Sequence, residues 1–538
     1  KKSNPNQLDE RFYGWERGTF DALLNYDKQF DVHGLKAMAG YHLEKYNYRE
    51  NQSIRKNFPT NDLDDMNAGD AATQTNSGYT RELAMISWFA RLNYDYSGKY
   101  LFEANIRADA SSRFSDGNRW GYFPSFSAAW RISEENFMES SRDWLDNLKI
   151  RTSWGLLGNQ NALSDYYPWL NTYQLDGKYN FGSGLKTGYY LDSYKLSTIS
   201  WEKACTWGIG VDASFFNCVD LSVDFYDRKT TGIIMDVPVP KEFGLKPYKD
   251  NVGEMLNRGV EVTLGYHKKW GKWTLGATGN FAYNKNELLD LGGVDYMVDP
   301  GDKYKRRQIG ERLNSYYAYK TNGFFQSDEE AQAWMDKYSK LPGYPFGTRK
   351  FKGGDLIYQD TDGVEGITEN DRVLLGSMDP AWTFGLNLNA GYKGWDISMM
   401  FSGAANVSRM FTNPGDFNGD MARPTTLWLD AWTPDNKNAE MPRVAYDKTS
   451  PSHPWNAMSD FWIQDASYLR LQNLQVGYTF STKCLKALHV ENLRMYYSAE
   501  NLFTIDNMMV NVDPESRDTN GNGYPLLQTH SIGVSLTF

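Results

Sequence analysis

Asp360, Asp362 and Asp371 stand at positions 1, 3 and 12 of the run Asp360-Thr-Asp-Gly-Val-Glu-Gly-Ile-Thr-Glu-Asn-Asp371. Hard oxygens at alternate positions are what calcium requires. Ile367 falls at position 8, but position 5 is Val364, position 6 is Glu365 rather than Gly, and Asp371 is shorter than the usual Glu. Two readings stay open: a calcium site on Asp360, Asp362 and Asp371, or a hydrophilic turn with solvated acids. Asp518-Thr-Asn-Gly-Asn-Gly523 is a weaker case and reads as an Asn/Gly turn.

Aromatic rings are the other groups able to hold a ligand. Trp169, Trp428, Trp432 and Trp455, with Tyr173, Tyr189 and Tyr190, fall in polar stretches between the predicted strands. An indole face can stack on the apolar face of a sugar, so the four tryptophans are candidate substrate-binding residues; packing of the loops against one another would use them equally. Catalytic patterns are missing. There are 6 His, no Gly-x-Ser-x-Gly elbow, no phosphate-binding glycine loop and no His-Glu-x-x-His helix. Cys205, Cys218 and Cys484 are widely spaced and make no zinc pattern; Cys205 and Cys218 fall on adjacent predicted strands, with unpaired thiols favoured. A net charge of -10 without a Lys/Arg-rich run argues against nucleic acid. The sequence requires no cofactor, and calcium is the one ion it suggests.

The elements that must position these residues are strands. In Ser531-Ile-Gly-Val-Ser-Leu-Thr-Phe538, Ile532, Val534, Leu536 and Phe538 alternate with small polar residues, and the run closes on an aromatic ring. That pattern suits the last strand of an outer-membrane barrel, with one face toward lipid and its end in an aromatic girdle. Aromatics make up 15% of the 538 residues, while mean hydropathy is only -0.63. No stretch approaches the roughly 20 apolar residues of a membrane helix, but in a barrel only every second strand residue meets lipid. Val219-Asp-Leu-Ser-Val-Asp-Phe225 alternates in the same way, as do 260–266, 273–283, 382–392 and 395–402. Asp220, Asp224, Glu261, Asn280, Asn387 and Asn389 fall on the second face, which favours a wet lumen over a dry core.

About fifteen strands are expected, at 17–29, 35–48, 85–96, 99–111, 122–133, 145–157, 201–216, 218–231, 256–269, 271–286, 380–393, 394–408, 462–478, 488–504 and 527–538. Short turns at 30–34, Ser97-Gly98, Trp270-Gly271 and Lys393-Gly394 alternate with long loops at 49–84, 158–200, 232–255, 287–379, 409–461 and 505–526, as periplasmic turns and extracellular loops do. The apolar phase changes from Leu469 and Leu471 to Leu474, Val476 and Tyr478, which predicts a bulge at Gln472-Asn473. Within the longest loop, Asp328–Tyr338 reads as a helix capped by Ser327, and 315–325 as an extended hairpin. The fold class is all-β, a transmembrane antiparallel barrel. An odd strand count leaves the chain ends on opposite sides, so further strands outside this chain are expected, about seven to reach 22.

Several segments resemble the SusC/RagA family of TonB-dependent outer-membrane transporters, typical of Bacteroidetes. They include Arg91-Leu-Asn-Tyr-Asp-Tyr-Ser-Gly-Lys-Tyr-Leu101, Asp109-Ala-Ser-Ser-Arg-Phe114, Trp120-Gly-Tyr-Phe-Pro-Ser-Phe-Ser-Ala-Ala-Trp-Arg-Ile132 and Trp154-Gly-Leu-Leu-Gly-Asn-Gln160. Others are Phe225-Tyr-Asp-Arg-Lys-Thr-Thr231, Asn251-Val-Gly-Glu-Met-Leu-Asn-Arg-Gly-Val-Glu261, Gly354-Asp-Leu-Ile-Tyr-Gln-Asp-Thr-Asp-Gly363 and Tyr468-Leu-Arg-Leu-Gln-Asn-Leu-Gln-Val-Gly-Tyr478. The resemblance implies that 1–538 is the C-terminal part of a 22-strand barrel in the bacterial outer membrane, whose plug and first strands are not in this chain. It also implies gated import without covalent chemistry, coupled to TonB through the missing N-terminal region. A SusD-like surface lipoprotein would capture an oligosaccharide or, next, an oligopeptide. A passive porin and a soluble or surface-attached glycan-binding β-protein are the competing classes.

Overall fold

The computed structural model describes residues 6–538 apart from 163–164, 181, 183, 192, 238, 240–241, 243, 245, 300–301, 413–425, 446–448, 481–489, 510–511 and 517–523. Alternation becomes strand along the chain: β1 (Gln7–Phe30), β2 (His33–Lys56), β3 (Thr75–Tyr96), β4 (Tyr100–Ser111), β5 (Trp120–Arg131) and β6 (Leu145–Asn159). A separate hairpin, β7 (Tyr173–Asn180) and β8 (Leu185–Leu191), precedes β9 (Glu202–Phe215), β10 (Val219–Val237), β11 (Tyr248–Trp270) and β12 (Trp273–Leu291). The longest loop holds β13 (Tyr296–Asp299), β14 (Asp302–Gln308), β15 (Ser315–Tyr319), β16 (Thr321–Phe324), helix α1 (Asp328–Tyr338), β17 (Leu356–Tyr358) and β18 (Arg372–Ser377). Then come β19 (Trp382–Tyr392), β20 (Trp395–Ala405), β21 (Ser408–Met410), β22 (Ile463–Asp465), β23 (Tyr468–Thr479), β24 (Asn492–Asp506) and β25 (Thr529–Thr537).

Fifteen strands form one sheet in the order β1-β2-β3-β4-β5-β6-β9-β10-β11-β12-β19-β20-β23-β24-β25. Every neighbour pair follows chain order, the topology short turns dictate. β1 and β25 stand at the ends of this order, each paired on one flank among the described residues. No described helix is long and apolar enough to cross a membrane.

Two compact units divide the chain: residues 1–134, 151–208 and 228–254 in one, and 135–150, 209–227 and 255–538 in the other. In the first, β1 and β2 pair over 24 residues each, far more than the roughly 9–11 that a tilted strand needs to span a bilayer. Its apolar face is bounded. Phe20, Leu43 and Ile86 share one row, and Phe30, His33, Tyr96, Tyr100 and Trp130 share another ten residues along β1. Phe114, Phe123, Ile199 and Trp201 form a buried cluster in this unit, where the Phe123 ring occupies the space beside Gly121 and Gly158 that a Cβ would need.

In the second unit the β12–β19 ladder runs from Trp273↔Tyr392 to Tyr283↔Trp382. Aromatic pairs close both ends, with ring centroids 4.4 Å apart at the first and 4.3 Å at the second. Ten residues of strand cover about 34 Å, or about 24 Å of height at a 45° tilt, which matches an apolar band of about 25 Å. Both faces of the ladder are open. Leu386 and Phe281 are exposed on one, Thr278, Asn280, Asn387 and Asn389 on the other. A sheet in a water-soluble protein buries one face; this one has an apolar face that calls for lipid and a polar face that calls for water.

The structure corrects several strand boundaries. Strands expected at 17–29, 35–48 and 85–96 extend to 7–30, 33–56 and 75–96, so the loop expected at 49–84 shrinks. The strand expected over 462–478 is two: β22 pairs with β21, and β23 begins after Ala466-Ser467. Residues 315–325 are extended but are not a hairpin, because β15 pairs with β14 and β18 while β16 pairs with β17. The loop at 158–200 contains the β7–β8 hairpin. Helix α1 and its cap are as expected, with Ser327 accepting from the Glu330 N–H. The bulge falls at Gln472, which the register skips on both neighbouring strands. Cys205 and Cys218 are free thiols; Cys484 lies outside the described residues.

Candidate functional site

Loop chemistry gathers first at the acidic turn. Carboxylate oxygens of Asp360, Asp362 and Asp371 lie within 4.8 Å of one another. Their environments differ. Asp360 and Asp362 are exposed, and each accepts a backbone N–H of its own turn, from Gly363 at 3.3 Å and Val364 at 2.8 Å. Asp371 is fully buried; Oδ1 accepts from the N–H of Thr361 (2.6 Å) and Asp362 (3.2 Å), and Oδ2 from the N–H of Thr368 (2.7 Å). With Thr368 it closes a capping box on the 3-10 turn Glu369–Asp371. Asp371 thus has a structural task, while Asp360 and Asp362 present the outward oxygens that a cation would use. Asp371→Ala should loosen 355–375 to protease with or without chelator, because three amide donors lose their acceptor at about 1–3 kcal/mol each. A bound cation would add chelator sensitivity that Asp360→Ala reproduces; indifference to both leaves the turn alone. The stretch 518–523 lies outside the described residues.

The four tryptophans do not share one environment. Trp432 is buried with its ring over Gly353 and Gly354, and a Cβ at Gly354, where φ is +84°, would meet that ring at 2.5 Å. Trp428 is half-buried against a core of Tyr304, Tyr316, Met441 and Trp462. Trp169 is half-buried, and Trp455 is 55% exposed. Trp455 therefore offers the most open ring of the four, and Trp432 packs the loop. Tyr173 and Tyr189 meet edge to face at 5.6 Å on the β7–β8 hairpin and are exposed, as is Tyr190.

The longest loop is a folded body with its own core. Tyr319, Phe325, Phe346, Phe351, Tyr358 and Ile367 pack with Ala331 and Met335 of α1. Asp355, fully buried, ties this core to a later segment. It accepts from the Ser450 hydroxyl at 2.5 Å and the Lys352 N–H at 2.9 Å, and Arg443 Nε lies 3.0 Å away, off the line of a hydrogen bond. Burial raises the Asp355 pKa, with Arg443 acting in the opposite sense. Burial pushes Tyr319 up to about 12 and Tyr358 well above its usual value. These phenols stay neutral and serve as packing, with the Tyr358 hydroxyl donating to the carbonyl of Ala457.

On the polar strand face, Asp220 accepts from Ser214 at 2.7 Å and faces His267 at 3.3 Å. Arg494 holds Asp396 and Gln475. Sequence reasoning missed Arg470, which is 4% exposed and pairs with Asp513 at 2.6 Å and Glu515 at 2.5 Å beside a polar cleft of about 600 Å³. The signal was present: an arginine at the non-lipid phase of the apolar run Tyr468-Leu-Arg-Leu471.

Residues 2–502 match the family model described as TonB dependent receptor-like, beta-barrel. The chain belongs to this family. Among curated relatives, the TonB-dependent receptor P26 of Formosa agariphila is 30% identical over 84% of the chain and 46% of its own length. The TonB-dependent receptor SusC of Bacteroides thetaiotaomicron is 28% identical over 99% of the chain and 52% of its own length. Among solved structures, one of the RagAB peptide transporter superposes with a TM-score of 0.80 at 25% identity, covering 99% of this chain and 56% of that one. The chain spans about half the length of the curated relatives it matches. As a SusC/RagA-type TonB-dependent receptor barrel it resides in the bacterial outer membrane. In such a barrel the open apolar face of β12–β19 meets lipid, and Asn280, Asn387 and Asn389 meet the aqueous interior.

Proposed function

We propose that the chain forms part of the barrel wall of a TonB-dependent importer that carries oligosaccharides across the outer membrane, as the SusC-like channel of a pair with a SusD-like surface lipoprotein. The observation that supports this best is the pairing of a polar, open strand face with a folded, aromatic-rich loop body in one receptor barrel. Such a protein works by gating. Ligand is held outside, a plug supplied by sequence outside this chain is displaced through TonB, and the polar face offers hydrogen-bonding partners along the way. No covalent step is needed, and calcium on Asp360 and Asp362 would serve only to stiffen a loop. Oligopeptide is the second reading, supported by the likeness to the RagAB peptide transporter.

Uptake of fluorescent oligosaccharide and oligopeptide libraries by cells carrying the full-length gene, with and without a TonB deletion, tests both. We expect oligosaccharide uptake that disappears in the deletion strain. Uptake that persists there would make the protein a passive porin, and uptake of peptides alone would replace the substrate class.

A further inference from the structure

Beyond the row of Phe20, Leu43 and Ile86, on the face opposite the apolar one, β1, β2 and β3 carry arginines among aromatic rings. Trp15, Tyr48 and Arg81 form one row; Arg17 and Tyr46 stand in the next, and Tyr13, Glu50 and Tyr79 in the row on the other side. Rows are about 6.8 Å apart along the strands and neighbouring strands about 4.8 Å apart. These rows lie outside the apolar band, and Tyr13, Trp15 and Tyr79 in them are exposed.

The geometry is held in place. The hydroxyls of Tyr48 and Tyr79 both donate to Glu50 Oε2, at 2.6 and 2.8 Å, which holds the two ring centroids 5.9 Å apart. The Arg81 guanidinium lies 4.6 Å from the Tyr79 ring and 5.6 Å from Tyr166. Arg113 lies 5.2 Å from the same Tyr166 ring. Tyr166 also stacks on Tyr46 at 6.4 Å, and Arg17 sits 5.6 Å from Tyr46. Three guanidiniums therefore gather around one pair of tyrosines, with Glu50 and Asp165 in electrostatic reach of Arg81, Asp165 of Arg113, and Glu44 4.0 Å from Arg17.

The nearby acids hold shorter contacts with other groups. Glu50 holds two phenols, Asp165 pairs with Lys195 at 2.7 Å, and Asp9 pairs with Arg11 at 3.2 Å. Arg81 has no carboxylate in ion-pair range among the described residues, and the approach of Glu44 to Arg17 is 4.0 Å. Burial holds Arg113 below the ordinary guanidinium pKa, with Tyr166 and Asp165 acting in the opposite sense, and its Nη1 donates to the Asp165 carbonyl at 3.2 Å.

A guanidinium fork matches the oxygens of a carboxylate or sulfate, and an aromatic ring covers the apolar face of a sugar. We propose that this face binds an anionic oligosaccharide, with Arg81 and Arg17 holding its carboxylate or sulfate groups while Trp15 and Tyr79 stack against its rings. The inference rests on the oligosaccharide reading above and narrows it.

Calorimetry on the full-length receptor tests it with two probe pairs: tetragalacturonate against its methyl ester, and a sulfated galactose tetrasaccharide against its desulfated form. At least one acidic probe should bind about tenfold tighter than its neutral partner, and added salt should shrink the difference. Arg81→Gln and Arg17→Gln should each remove much of that preference, weakening the acidic probe several-fold more than the neutral one, and Arg81→Lys should keep part of it. Heat-modifiable migration of each variant confirms a folded barrel. Equal binding of acidic and neutral probes, or a preference intact in the Arg17→Gln/Arg81→Gln double variant, overturns this inference and leaves oligosaccharide import standing. If no sugar binds while peptides do, the oligosaccharide reading falls and takes this inference with it.

Discussion

Arg443→Met should detach the segment around 450–457 from the loop body and unfold the core around Tyr358. Asp355 is fully buried, and Arg443 is the cation in its ion pair, at 3.0 Å. Breaking one side of a buried pair leaves an uncompensated charge and costs about 3–5 kcal/mol. The Asp355→Asn/Arg443→Met double variant should recover part of that loss, because the stranded charge is gone. Hydrogen exchange across 315–379 reads the effect. An Arg443→Met protein with native protection at Tyr319 and Tyr358 would refute the anchoring role of the pair.

The second large effect lies on the wall. Leu386→Arg should cost roughly 2–4 kcal/mol, since the side chain sits near the middle of the ladder on its lipid face. Asn387 is adjacent, at nearly the same depth, on the opposite face. Arginine there should be tolerated, because the face is wet. Folding titrations into lipid vesicles compare the two; equal losses would mean the faces have been assigned the wrong way round. Leu264→Arg should behave like Leu386→Arg if its depth is similar.

Alternation made the wall legible. Val260, Val262 and Leu264 announced β11, and Trp382, Phe384, Leu386 and Leu388 announced β19, because lipid imposes period 2 on one face. Where lipid ends, the signal ends too. Gln7-Leu-Asp-Glu-Arg-Phe-Tyr-Gly-Trp-Glu16 is strand, yet it has no apolar face and nothing in its order announces one. Loops obey other rules. Ile463 falls in the strand expected over 462–478, but it is buried with Met410, Met441 and Trp462, and the chain changes sheets at Ala466-Ser467. Asp371 was legible as an acid at ligand spacing; its work as an amide acceptor for Thr361, Asp362 and Thr368 depends on a fold the spacing does not encode. Arg17, Tyr46, Arg81, Arg113 and Tyr166 are far apart in sequence, and only strand register and two loops bring them together.

The two aromatic clamps on β12–β19, Trp273 with Tyr392 and Tyr283 with Trp382, act as a fixed gauge of membrane thickness. Rings that prefer the headgroup level cannot slide into hydrocarbon without loss, so the bilayer must adjust to the protein. In lipids with long acyl chains the annulus beside this wall would have to compress, at fractions of a kcal/mol per ångström. The bacterial outer membrane is thinner than most, and there the mismatch is smallest. Reconstitution in short-chain lipids should therefore leave the wall unstressed, whereas thick bilayers would favour clustering of barrels that share one collar of compressed lipid.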